Sequence, residues 1–200
     1  FFWSDREMSR CHKMLRQYWI LSLLLVLSSC SGAKVVQIPL YRIQSGSDLT
    51  LITTSDIHYL SESLTDHGPA FSRFLSSGDG RLPGYSQAII HALGYDLGIR
   101  RPDVVIISGD LSNNGEKRSH QDLAGQLQAI EERTGASVYV IPGNHDLQNP
   151  WARTFHGSQQ EPVDSVTPKA FRRIYSALGY KEAVLEDKAS LTYLAAPSED

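Results

Sequence analysis

Cysteine is scarce in this chain. Cys11 and Cys30 are the two present in 200 residues, too few for a disulfide scaffold. A strong excess of either charge is also missing. Nineteen basic side chains stand against 22 acidic ones, for a net charge of −3, so nothing points to a nucleic-acid-binding surface. The apolar run Tyr18–Leu27 falls short of the roughly 20 residues that a spanning helix requires. Internal repeats and low-complexity tracts are absent as well. What remains is ordinary globular composition, 41% hydrophobic and 20% charged, in a length that suits one domain.

The N-terminus does not read as part of the fold. Arg10, Lys13 and Arg16 precede the short apolar run, which ends in Leu27-Ser28-Ser29-Cys30. A basic region, an apolar core and small residues before a cleavage point describe an export signal, and the ending resembles a bacterial lipobox. Residues 1–29 are therefore expected to be a lipoprotein signal peptide, with Cys30 lipidated and residues 30–48 a tether. Cys11 would leave with the leader. The expected protein is exported and anchored to the bacterial cell membrane. Fifteen basic and 20 acidic side chains would remain, a balance of −5, so attachment would rest on the acyl chains rather than on attraction to anionic lipid.

From Leu49 the pattern becomes periodic. Leu49–Thr54 is β-branched and reads as a strand. A long Ser-, Gly-, Asp- and Pro-rich stretch, Tyr59–Gly84, follows; a loop of this length is functional or carries short helices. Ile90, Leu93 and Leu97 fall on one helical face, with Gly98 placed to cap the end. Val104–Ile107 is a strand apolar throughout, as when both sheet faces are covered. A helix spans about Lys117–Arg133, with Leu123, Leu127 and Ile130 on one face and Gly135 at its end. Val138–Ile141 is the third strand. An irregular segment follows Asn149-Pro150. Thr167-Pro168 then opens a helix whose stripe runs through Phe171, Ile174, Tyr175 and Leu178 to Gly179, and Ser190–Ala195 is a further strand. Alternating strands and helices with right-handed crossovers give an α/β domain over residues 49–200, with parallel strands whose carboxyl ends align.

Those ends carry the chemistry. The first strand runs into Asp56 and His58, which in extended backbone would point the same way. The second runs into Gly109-Asp110, where the carboxylate has two oxygens with which to bridge two cations. The third runs into Gly143-Asn144-His145-Asp146, in which Asn144 adds a neutral carbonyl oxygen. Aspartate, histidine and asparagine without cysteine suit Mn, Fe or Zn rather than a structural zinc. Two divalent metal ions so held would clamp a phosphoryl group and hold a bridging hydroxide for in-line attack. His145 adjoins a ligand, so it is expected to act as general acid or to stabilise phosphoryl charge. Asp146 is expected to orient His145 by accepting its other ring proton. Asn113 follows Asp110 closely and is a candidate substrate-binding residue.

Asp56-x-His58, Gly109-Asp110 and Gly143-Asn144-His145-Asp146, in this order, resemble the calcineurin-like metallophosphoesterases. The resemblance implies a β-sandwich flanked by helices and a dinuclear site. Asp56 and His58 would serve the first metal, Asp110 the bridge and Asn144 the second metal, with His145 the non-ligand catalytic histidine. Thr54–Tyr59, Ser61–Asp66, Asn113–Lys117, Asn149–Arg153 and Tyr193–Ser198 resemble an exported bacterial branch described as cyclic-nucleotide phosphodiesterase-like. This implies a small phosphate-ester substrate of the nucleotide type. The same metals would equally serve a phosphomonoesterase or nucleotidase, and the same fold a lipid-anchored binding protein without activity. The family completes its metal shell with a Gly-His pair and a Gly-His-x-His motif. Here only His156 follows His145, so the chain is expected to be the N-terminal part of such a domain, truncated at its C-terminal side, and alone to bind metal poorly and have little activity because several ligands are absent.

Overall fold

The computed structural model describes Ile43, Gly46 and residues 48–77, 80–187 and 189–198. The leader, Cys30 and the tether apart from Ile43, Gly46 and Asp48 lie outside the described residues. Among the described residues no helix is long and apolar enough to cross a membrane.

Three parallel strands form the central sheet in the order β1 (Leu51–Thr54), β2 (Val104–Ser108), β3 (Ser137–Ile141). Leu51 pairs with Val104, and Val104 in turn with Ser137, so all three strands finish level at one edge. Helices α2 (Ser86–Arg100) and α3 (Lys117–Thr134) make the crossovers. Val105, Ile107, Val138 and Val140 pack against Ile90 and Leu97 of α2 and Leu123, Leu127 and Ile130 of α3 in one buried cluster. Strand alternation sends Leu51, Ile106, Tyr139 and Ile141 to the other face, where they share a recess of about 280 Å³ with Tyr193, Ala195 and Pro197. Leu51 and Ile141 remain more than two-fifths exposed, so this face is less fully covered than the apolar run of β2 implied.

The helix ends depart from expectation for identifiable reasons. Helix α2 runs past Gly98 and stops at Arg101, which takes the left-handed conformation (φ 46°) and donates its amide to the Leu97 carbonyl at 2.8 Å. Pro102 disfavours a helical residue before it and sets that limit. Gly135, by contrast, caps α3 in the left-handed conformation as expected. Helix α4 (Pro168–Ile174) starts on its Thr167 cap but ends early. Tyr175 and Leu178 are still fully buried, from a turn whose Leu178 carbonyl accepts the Val140 amide on the open edge of β3 at 3.3 Å.

The long stretch after His58 contains helix α1 (Pro69–Ser76), with 3₁₀ turns at Glu62–Leu64 and Pro83–Tyr85. The irregular segment after Pro150 contains a hairpin, β4 (Arg153–His156) with β5 (Gln159–Pro162). Its Phe155 joins Leu60, Leu64 and Phe71 in a second apolar cluster. The last strand is β7 (Tyr193–Ala195), paired with β6 (Ala183–Glu186).

Candidate active site

The aligned strand ends place their loops in contact through the backbone. Beyond β1, Asp56 donates its amide to the Gly109 carbonyl at 3.1 Å, His58 to Asp110 at 2.9 Å and Tyr59 to Leu111 at 2.9 Å. Asp56 (φ 56°), His58 (φ 46°) and Asp110 (φ 47°) all adopt the left-handed conformation. The segment is thus not extended, and Asp56 and His58 converge through two kinks rather than through strand alternation. Each such kink costs a non-glycine residue roughly 1–2 kcal/mol, and strain of this kind collects at functional sites.

Glycines bring the β2 and β3 loops together. A Cβ on Gly109, which has φ +90°, would lie 2.8 Å from Gly143 Cα. One on Gly143 would lie 2.2 Å from Asp110 Oδ1 and 2.3 Å from Asp110 N. The Asp110 carboxylate fits only because residue 143 has no side chain. Its Oδ1 then accepts the His145 amide at 2.9 Å, which fixes the direction of Oδ2.

Oδ2 of Asp110 lies 3.9 Å from His58 Nε2, and Asp56 Oδ1 lies 3.7 Å from the same nitrogen. These separations exceed a hydrogen bond, yet ligating atoms of the three residues lie within 4.8 Å of one another. Asp56 is largely exposed (64%), whereas His58 (14%) and Asp110 (13%) are recessed. Burial, with help from the positive charge of Arg81, lowers the His58 pKa, and His58 Nδ1 is buried without a hydrogen-bond partner. A neutral imidazole facing two carboxylates at these distances is poorly stabilised alone. A divalent cation among them would satisfy all three, so the donor set fits a metal. Asn144 is exposed on the adjoining loop.

His145 is partly buried, its ring edge-on to His58 with centroids 5.0 Å apart. Its Nδ1 lies 3.1 Å from the Asn113 carbonyl and 3.1 Å from Asn114 Oδ1. Asp146 is therefore not the partner of this nitrogen. Its fully buried carboxylate accepts the amides of Gly143 (2.8 Å), Leu111 (3.1 Å) and Ser112 (2.9 Å), and the Ser112 hydroxyl at 2.8 Å. It ties the β3 loop to the β2 loop and so supports His145 through the backbone. A carboxylate facing four donors has no reason to turn to the ring. Asn113 is also reassigned. Its side chain is fully buried beside Glu116, and its carbonyl is what reaches the site.

Three participants were missed from sequence. Asn114 meets the His145 ring. Arg81 donates Nη1 to the Asn113 carbonyl at 2.8 Å and approaches His145 Nδ1 to 3.3 Å; the length of its loop was the available signal. His120, on α3, is the third. It is fully buried, with Nε2 3.1 Å from the Asp146 carbonyl and 3.0 Å from Ser112 Oγ, and Nδ1 2.9 Å from Tyr175 Oη. Because the carbonyl only accepts, Nε2 carries the proton and Tyr175 donates to Nδ1. His67 pairs instead with Glu62 at 2.9 Å, and His91 with Gln87 at 3.0 Å. Trp151 is exposed.

Carboxylate and imidazole groups that could hold a metal ion thus gather at the carboxyl edge of a parallel α/β sheet, with a second histidine beside them. Residues 49–195 match the calcineurin-like phosphoesterase family, and the chain belongs to it. A 46-residue segment is 35% identical to a cAMP/cGMP dual specificity phosphodiesterase of Mycobacterium tuberculosis (strain CDC 1551 / Oshkosh). That segment takes in 23% of this chain and 14% of the relative.

Proposed function

We propose that the protein is a metal-dependent phosphodiesterase with a dinuclear centre and a cyclic-nucleotide-like substrate. The observation that carries this reading is the convergence of Asp56, His58 and Asp110 within 4.8 Å. Asp56 and His58 would hold one cation, Asp110 would be shared, and Asn144 would serve the second. The donors suit Mn, Fe or Zn. Bound divalent ions supply charge neutralisation at the phosphoryl oxygens and a nucleophile derived from water near neutral pH.

The chain's own residues set the rest. Asp146 and the two loop glycines hold Asp110 and the His145 backbone in register. His145 Nδ1 is occupied by its contacts with the Asn113 carbonyl, Asn114 Oδ1 and Arg81 Nη1, so Nε2 is the nitrogen that would face the departing ester oxygen, as proton donor when it carries a proton, or offset phosphoryl charge. The likeness of one segment to the mycobacterial cAMP/cGMP dual specificity phosphodiesterase supports a cyclic nucleotide as the ester. The test compares hydrolysis of bis(p-nitrophenyl) phosphate, p-nitrophenyl phosphate, cAMP and cGMP with Mn²⁺ added. Diester and cyclic-nucleotide turnover should exceed monoester turnover; monoester cleavage alone would replace the reading with a phosphomonoesterase.

We also infer export and lipid anchoring, supported by the basic region, the short apolar run and Leu27-Ser28-Ser29-Cys30. Cys30→Ser should release the protein from bacterial membranes, and its continued attachment would refute the lipidation.

A further inference from the structure

We infer that Arg81, on the loop between α1 and α2, is a substrate-binding residue that contacts the anionic phosphoryl group of the ester; this rests on the proposed hydrolytic reading of the site. Arg81 lies 29 residues upstream of Asp110 in sequence and belongs to none of the three strand-end motifs. The fold nonetheless brings its guanidinium to within 3.3 Å of His145 Nδ1.

Its placement is built rather than incidental. Gly80, immediately before it, takes φ +91°, in the left-handed region that favours glycine. Two residues after it Pro83, which is buried, opens a 3₁₀ turn that Tyr85 closes by donating its amide to the Leu82 carbonyl at 2.9 Å. The fully buried Ser86 then staples this turn to the metal-ligand loop. Its hydroxyl donates to the Pro83 carbonyl at 2.9 Å and accepts the Leu60 amide at 3.0 Å. Leu60 is two residues beyond His58, so the base of the Arg81 loop moves with the site.

At the tip, Nη1 donates to the Asn113 carbonyl at 2.8 Å, the same oxygen that faces His145 Nδ1. The guanidinium is a permanent cation with a planar fork of donors, a geometry matched to phosphoryl oxygens. It is partly buried, where desolvation strengthens such contacts. An ester seated against Asp56, His58 and Asp110, with its leaving oxygen toward His145, would bring its non-bridging oxygens beside this fork. A cation there holds the charge that the two carboxylates would otherwise repel.

The test uses the full chain and two probes, Mn²⁺ alone and inorganic phosphate added to the Mn²⁺-loaded protein, each followed by calorimetric titration. Arg81→Gln should leave Mn²⁺ affinity within about twofold and weaken phosphate at least about tenfold, as loss of a charge-assisted hydrogen bond implies. Arg81→Lys should recover part of that loss, and the thermal midpoint of both variants should match the parent. Unchanged phosphate affinity in Arg81→Gln, with metal still bound, would overturn the inference and leave the metal site standing. Failure of the parent chain to bind Mn²⁺ would instead overturn the site reading, and this inference with it.

Discussion

At the scale of single residues, the site depends on backbone conformations that ordinary side chains avoid. Asp56, His58 and Asp110 are left-handed, and Gly143 leaves 2.2 Å between its hypothetical Cβ and Asp110 Oδ1. Gly143→Ala must therefore displace the carboxylate or the loop. It should destabilise the fold by roughly 1–3 kcal/mol, as overpacking does, and weaken metal binding in parallel. A melt and a Mn²⁺ titration on the same preparation check both. His145→Ala should cost about 10²–10⁴ in turnover, the usual worth of a positioned acid or base, with most metal retained; a large loss of metal would make it a ligand. Glu116 is a residue of another kind. It is fully buried, and burial raises its pKa although it accepts the Asn114 amide at 2.9 Å. Its favourable contribution is thus present at low pH and is lost as pH rises through its folded-state pKa. Glu116→Gln should leave the thermal midpoint equal or higher at pH 7 and lower relative to the parent at pH 4, a crossing that a pH series of melts would show.

At the scale of elements, α3 and α4 support the loop that carries His145 from behind. His120 on α3 connects Ser112 and the Asp146 carbonyl to Tyr175 at the end of α4. Tyr175→Phe removes one hydroxyl and leaves His120 Nδ1 buried without its donor, which should cost about 1–3 kcal/mol. Burial lowers the His120 pKa, against the opposing pull of Asp146. A histidine held neutral contributes stability that is complete above its unfolded pKa of about 6.5 and is lost as pH falls towards the folded value. His58, also lowered mainly by burial, acts in the same direction. The melting temperature should fall below about pH 6.5, and His120→Gln should flatten that slope; an unchanged slope would show that His120 does not titrate in this range. The secondary structure was legible wherever one face was apolar. Leu123, Leu127 and Ile130 announced α3, and Gly135 its end. Hairpin β4–β5 was not legible, because Gln159–Pro162 is exposed at every position and carries no alternation to read. The early stop of α4 was hidden for the opposite reason: Tyr175 and Leu178 are as buried as helical residues would be, so the hydrophobic stripe continues after the helix has ended.

At the scale of the whole molecule, three parallel strands, two crossover helices and three strand-end loops converge on one edge. Asp56, His58, Asp110 and His145 were readable because each sits just past a strand, where an open α/β sheet gathers its ligands. Their partners were not, because those depend on long-range packing. Asp146 turns away from His145 to four donors on neighbouring loops, and Arg81 arrives from a segment without periodicity. The central claim is that Asp56, His58 and Asp110 form a divalent-metal site. The most direct measurement is an electron paramagnetic resonance titration of Mn²⁺ with the parent chain and with Asp110→Ala, each shown folded by its melt. The parent should bind Mn²⁺ saturably, and the variant should weaken that binding by more than about 100-fold, beyond the cost of losing a residue that only supports a ligand. Equal binding in the two proteins, or none in the parent, would contradict the assignment.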